Sequence, residues 1–165
     1  MTPYADRQIR PNWPQDPSRG LRPLFVTLSA RIGALVMVAA CLFAAWPGVR
    51  PQRWTAAVVF LAWTGSAALQ NRADVIHPQY AVFALDLLVA GVLVALALIW
   101  RQAWLMAVAA FQLLTTATHV AVMIDLRIWA HAYFTAYFVW SYALLAALAW
   151  GGVEAWREAR ERGGR

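Results

Sequence analysis

Residues 80–124 read YAVFALDLLVAGVLVALALIWRQAWLMAVAAFQLLTTATHVAVMI, two long apolar runs that only Arg101 and Gln102 separate. Each run has roughly the 17 to 25 residues that a helix needs to cross the hydrocarbon core of a bilayer. Because so short a connection forces neighbouring helices to lie antiparallel, the stretch predicts a membrane hairpin. Apolar residues surround each run instead of forming a single stripe, which is typical of helices buried in lipid or protein.

Three further apolar runs accompany this hairpin, at 24–46, 54–70 and 128–150. The chain is 62% hydrophobic, against roughly 45 to 50% in soluble domains, so it has too much apolar surface for a water-facing shell. The sequence therefore predicts an all-α integral membrane protein, a bundle of five transmembrane helices (24–46, 54–70, 80–100, 103–124 and 128–150) with short connecting turns. A Pro-rich polar arm at 1–23 precedes this domain of 24–150, and a charged helical tail at 151–165 follows it.

Tryptophans stand at the ends of the five apolar runs. If the runs cross a bilayer in alternation, one Trp from each lies at the same face, where indole rings favour the boundary between hydrocarbon and headgroups. The members of this predicted belt are Trp46, Trp54, Trp100, Trp104 and Trp150. The alternative is a re-entrant segment at 54–70, which would leave both termini on one side and scatter the belt.

The formal net charge is +6, and all 14 basic residues are arginines. Most of them flank the apolar runs, a distribution that favours contact with anionic lipid headgroups over binding of nucleic acid. Abundant Ala and Arg without Lys indicate a bacterial protein, and so an inner-membrane location. The basic flank of the first run favours a cytoplasmic N-terminus.

Four ionisable side chains enter the apolar runs from the N-terminal face: Arg31, Asp86, His119 and His131. Five crossings would place them in one layer, roughly 5 to 10 Å deep at 1.5 Å per residue. The i, i+4, i+7 stripe of the fourth run and a threonine of the fifth extend this layer with Gln112, Thr116 and Thr135. An unpaired charge at mid-bilayer costs at least about 2.5 to 3.5 kcal/mol, so we expect pairing of Arg31 with Asp86, and of either histidine with Asp86.

The layer has one structural and several functional interpretations. As a structural lock, its interhelical hydrogen bonds would fix which helices adjoin. It could instead line a proton or small-solute path, hold a b-type haem between His119 and His131, or form a quinone or lipid-headgroup pocket with Arg31 and the aromatic residues. Two histidines and Asp86 suit a divalent metal chemically, but their spacing matches no compact metal motif, so no metal site is predicted.

The sequence contains no Gly-rich phosphate loop, no G-x-S-x-G elbow and no H-E-x-x-H motif, so no catalytic residues are predicted. Ala143, Ala147 and Gly151 form a small-residue ridge on which another helix can approach closely. We therefore expect a non-enzymatic accessory or assembly subunit of a larger membrane complex, without a cofactor. Its expected partners are the lipid bilayer and other membrane subunits, or a second copy. The alternatives are a small transporter or channel, and a haem- or quinone-binding electron-transfer subunit.

Overall fold

A computed structural model describes residues 22–46, 49–69, 80–124 and 130–163, and every regular element within these ranges is a helix. The bounds are α1 Arg22–Ala45, α2 Arg50–Leu69, α3 Tyr80–Trp100, α4 Ala103–Ile124 and α5 Ala130–Gly163. The predicted all-helical class is confirmed. Most of the predicted N-terminal arm, together with His77 and Asp125, lies outside the described residues.

Three described segments are long and apolar enough to cross a membrane: α3, α4 and the part of α5 at Thr135–Gly163. The apolar part of α1, Arg31–Ala45, is shorter. Helix α2 begins with polar residues, Arg50, Gln52 and Arg53, which lower its overall apolar character. A membrane-compatible protein is therefore shown, whereas the bundle of five crossings is not confirmed and stays a prediction.

The chain forms two compact units, Met1–Ala34 and Leu35–Arg165, and α1 runs through their boundary. In the first unit Leu28, Arg31 and Ile32 are exposed. The second unit holds the rest of α1 and all of α2 to α5. Arg31 and Asp86 belong to different units, so their expected ion pair stays a prediction.

The core of the second unit is apolar and lies mainly between α3, α4 and α5. Leu93 of α3, Leu105 and Val108 of α4 and Leu148 of α5 are completely buried. Lipid tails are as apolar as leucine, so these contacts stabilise the bundle through close packing instead of through removal of apolar surface from water. The outer faces of the same helices remain apolar and exposed, as a membrane environment requires.

The turn between α3 and α4 closes through Arg101, which adopts a left-handed backbone conformation with φ of 50°. Its amide donates to the carbonyl of Ala97 at 2.9 Å, which satisfies one of the carbonyls at the end of α3. The carbonyl of Gln102 accepts the first amide bonds of α4, from Leu105 and Met106. This arrangement explains why two residues suffice to reverse the chain.

Two adjacent glycines let α5 approach its neighbours while remaining helical to Gly163. A Cβ on Gly151 would lie 2.5 Å from the indole of Trp104, which is completely buried, and a Cβ on Gly152 would lie 2.9 Å from the ring of Phe43. Gln52 of α2 reaches the same place, where its Nε2 donates to the carbonyl of Gly151 at 3.4 Å. The pair therefore provides room for aromatic rings at this end of the unit.

We predict that Gly151→Ala destabilises the protein, because the added methyl group meets a rigid indole that has no space to move into. Overpacking of this kind costs about 1 to 3 kcal/mol. The matched control is Gly91→Ala in α3, where nothing lies within 4 Å of the added Cβ and where alanine favours the helix. Thermal unfolding in detergent should show a lower midpoint for Gly151→Ala alone. Equal midpoints for both variants would contradict the packing described here.

Candidate functional site

A buried polar cluster joins α3, α4 and α5 near the ends that face the connections at 70–79 and 125–129. Asp86 comes from α3, while Gln112, Thr116 and His119 come from the predicted stripe on α4. All four are buried. The stripe forms because residues four and seven positions apart share one face of a helix, and on α4 this face is turned towards α3.

Asp86 and His119 make the central contact of the cluster. His119 Nε2 lies 2.9 Å from Asp86 Oδ2, and the two side chains are 8% and 6% exposed. Neither atom has a hydrogen-bond partner within the described residues, so the contact is a close approach of the two atoms without hydrogen-bond geometry. Each group therefore depends on the other, because a buried polar atom without a partner is costly in an apolar environment.

Tyr133 of α5 extends this contact to the third helix. Its hydroxyl oxygen lies 3.0 Å from His119 Nδ1. The donor of this hydrogen bond depends on the tautomer of His119: a neutral ring with its hydrogen on Nε2 accepts at Nδ1 from the Tyr133 hydroxyl. Asp86, His119 and Tyr133 form one continuous set of contacts from α3 through α4 to α5.

The other atoms of Asp86 are held by α4. Gln112 Nε2 donates to the second carboxylate oxygen, Oδ1, at 3.3 Å and lies 3.4 Å from the backbone carbonyl of the same residue. The hydroxyl of Thr116 lies 3.4 Å from that carbonyl and 3.0 Å from the carbonyl of Gln112. Both carboxylate oxygens and the carbonyl of Asp86 are thus in contact with side chains of α4.

Aromatic rings surround His119. Tyr133 and Tyr137 stand edge-on to the imidazole, with ring centroids at 5.6 and 5.7 Å, and Phe83 approaches from α3 at 6.3 Å. Tyr137 lies one turn beyond Tyr133, so α5 presents both phenols to the same imidazole. Rings packed on several sides limit rotation of the histidine and hold its two nitrogens in place.

The structure brings together Asp86, Gln112, Thr116 and His119, as the sequence predicted for one layer. Thr135 is exposed on α5. Arg31 is exposed in the first unit, and His131 belongs to the first turn of α5, but its side chain lies outside the described residues. A contact of a histidine with Asp86 was expected, and within the described residues His119 makes one.

Sequence reasoning did not assign a tyrosine to His119, and it missed the ring contacts of Phe83. A signal for Tyr133 existed. His119 and Tyr133 lie six and eight residues from Asp125, so an antiparallel hairpin brings them close, and a tyrosine spans the remaining distance. Nothing in the sequence alone selects Phe83 from the other apolar residues of α3.

The five tryptophans of the predicted belt do not share one environment. Trp46 is 89% exposed, and Trp54 and Trp150 are also exposed, whereas Trp100 is half-buried. Trp104 is completely buried beneath Gly151, so its indole packs against protein and does not face headgroups. Trp104 lies near the start of α4, as in the predicted belt of tryptophans, but Gly151 of α5 leaves the space in which its ring is buried.

The chemistry open to this cluster is hydrogen bonding and proton exchange. Within the described ranges, no three His, Cys, Asp or Glu side chains gather as metal ligands. A haem ligand uses the lone pair of a ring nitrogen, and in this structure one nitrogen of His119 faces Asp86 and the other faces Tyr133. Haem ligation by His119 would require at least one of these contacts to break.

No family model, curated protein or solved structure matches this chain. The class of protein is therefore defined by the fold and the cluster: an all-helical, membrane-compatible protein with a buried Asp–His–Tyr chain between three helices.

We predict that Asp86 and His119 are energetically coupled. In a double-mutant cycle of Asp86→Ala and His119→Ala, the double variant should lose less free energy of unfolding than the two single variants lose together. The expected coupling is about 0.6 to 2 kcal/mol, the range for interhelical hydrogen bonds in membranes.

The control cycle pairs Asp86→Ala with Thr118→Ala, because the Thr118 hydroxyl bonds within its own helix, to the carbonyl of Leu114 at 2.8 Å. Its coupling should be near zero. Unfolding by a denaturing detergent measures the stability of all five variants. If the losses of unfolding free energy for Asp86→Ala and His119→Ala were additive, the contact between the two side chains would not contribute to stability.

Proposed function

We propose that this chain is a bacterial inner-membrane protein that crosses the bilayer five times and serves as a non-catalytic accessory or assembly subunit of a larger membrane complex. The proposal rests on the observation that the polar side chains of the buried cluster contact one another. Asp86, Gln112, His119 and Tyr133 contact one another across three helices, the arrangement of a lock that holds helices in register.

The exposed surface supports a role in assembly. A groove of about 430 Å³ runs between α1 and α5 within the second unit, lined by small residues such as Ala39, Ala146 and Ala149 and by Phe43 and Tyr142. Small residues allow another helix to approach closely, which is how membrane helices associate in the absence of a hydrophobic driving force. A rigid bundle with such a groove suits a subunit that binds other membrane helices.

Association can be tested at this groove. Ala146→Phe fills it, and Ala110→Phe on the exposed face of α4 is the matched control. In mild detergent, the wild type and the Ala110 variant should migrate well above the monomer, and Ala146→Phe should reduce this larger species severalfold. Crosslinking in intact cells followed by mass spectrometry identifies whether the neighbour is another subunit or a second copy. A wild-type monomer with no crosslinked neighbour would overturn the assembly role.

Five crossings require that α1 and α2 span the bilayer as well. The proposal places the N-terminus in the cytoplasm and the C-terminus outside it. Reporter fusions at the two ends measure this directly. Signals from opposite sides would support an odd number of crossings, whereas signals from one side would favour the re-entrant alternative for 54–70.

A second candidate function is a small transporter or channel. The contacts that run from Tyr133 through His119 to Asp86 favour it, because ionisable side chains inside a membrane often mark proton relays. The apolar core argues against it. Towards the other end of the unit Leu93, Leu105 and Leu148 are completely buried and give no polar continuation.

We therefore predict that liposomes containing the protein show no proton flux above that of empty liposomes. A pH-sensitive dye with an imposed potential provides the measurement, and an added protonophore shows that the liposomes respond. Wild-type flux that Asp86→Asn abolishes would establish the transport function and displace the assembly role as the main conclusion.

A further inference from the structure

Exposed arginines lie at the end of the second unit where α2 and α4 begin. Helix α5 passes this end at Gly151, which contacts Gln52 of α2 and the ring of Trp104 of α4, and then continues to Gly163. The start of α2, the turn between α3 and α4 and the part of α5 after Gly151 therefore lie at one end. These three segments carry four exposed arginines, which we call the arginine surface: Arg50, Arg53, Arg101 and Arg157.

The charge of the arginine surface is not neutralised by the protein itself. Within the described residues none of its arginines forms an ion pair, whereas Glu158 of the α5 extension is bound to Arg162 at 2.9 Å. Arginines also outnumber the acidic residues described at this end, which are Glu154, Glu158 and Glu161. Because a guanidinium group stays protonated at physiological pH, the surface attracts anions.

Exposed tryptophans at the same end indicate which anion the surface fits. Trp54 directly follows Arg53 and is 61% exposed, and Trp150 directly precedes Gly151 and is 45% exposed. Indole rings favour the boundary between hydrocarbon and headgroups, and the long arginine side chain reaches from there to a phosphate, which its planar fork binds through two hydrogen bonds. A phospholipid provides both the tails that cover the indoles and the phosphate, whereas an acidic protein segment provides only the charge.

Arg101 adds a backbone observation at this surface. Its φ of 50° is the left-handed conformation that glycine adopts most easily at the end of a helix. Replacing Arg101 by glycine therefore removes the charge and relieves the backbone in one change. At this position an effect on anion binding can be separated from an effect on the fold.

We propose that the arginine surface is a binding site for anionic phospholipids and selects them over zwitterionic ones. The guanidinium groups bind the phosphate of the lipid, and the exposed indoles lie among the upper parts of the tails. A zwitterionic headgroup is bound less well, because its own cation already neutralises its phosphate and is repelled by the arginines. This binding is independent of the proposed assembly role, since it concerns the lipid around the protein and not another subunit.

The test compares two lipids with identical tails, phosphatidylglycerol and phosphatidylcholine. The full-length protein in mild detergent is titrated with each lipid, and native mass spectrometry measures the Kd of the first lipid bound. The wild type should bind phosphatidylglycerol at least about 5-fold more tightly, the effect of one arginine near an anionic headgroup. Arg101→Gly should reduce this preference without lowering the thermal midpoint of unfolding, and the double variant Arg50→Gln with Arg53→Gln should reduce it as well.

Arg162→Gln is the matched control, because it also removes one exposed charge but its guanidinium is already bound to Glu158. It should keep most of the preference of the wild type. Equal binding of the two lipids to the wild type would overturn the proposal, and so would a preference that Arg162→Gln lowers as much as Arg101→Gly does. A wild type without lipid preference that loses a crosslinked neighbour in the Arg50 and Arg53 double variant would assign the surface to an acidic protein instead.

Discussion

The constraint on which the structure depends is that a carboxylate placed inside an apolar helix must find partners. Asp86 is the only acidic residue of α3, and its two carboxylate oxygens are contacted by His119 and Gln112 of α4. Those contacts fix the face that each helix turns to the other. Tyr133 then brings α5 to the opposite side of the same imidazole, so one buried acid determines the arrangement of three helices.

A different kind of contact fixes the other end of α4. There Trp104 occupies the space that the missing side chain of Gly151 leaves, and no charge is involved. Helix α4 is thus held against α5 at both ends, by hydrogen bonds near His119 and by close packing at Trp104, with completely buried apolar residues between them. Polar contacts set the register of the helices, and Gly151 lets α4 and α5 approach closely. Both are expected in a membrane, because lipid tails cover apolar surfaces as well as another helix does.

The sequence was sufficient to predict the helical class, because length, apolar composition and the short connection at Arg101 depend on local rules. The sequence predicted less well which side chains contact one another. The contact of His119 with Asp86 depends on the rotation of α4 about its own axis, and the i, i+4, i+7 stripe defines that rotation only to within one face of the helix. The burial of Trp104 escaped prediction for a related reason, since its space is created by a glycine 47 positions away. Such complementary pairs arise from tertiary packing, which a pattern of single residues does not encode.

The most direct test of the central claim is the state of the His119 ring. Nitrogen-15 solid-state NMR on ring-labelled protein in lipid, with His119→Gln assigning the signals, distinguishes the two neutral tautomers. The contacts of the ring predict that the Nδ1 signal changes in Tyr133→Phe and that the Nε2 signal changes in Asp86→Asn. Signals of His119 that neither variant alters would contradict the account that Asp86, His119 and Tyr133 form one connected cluster.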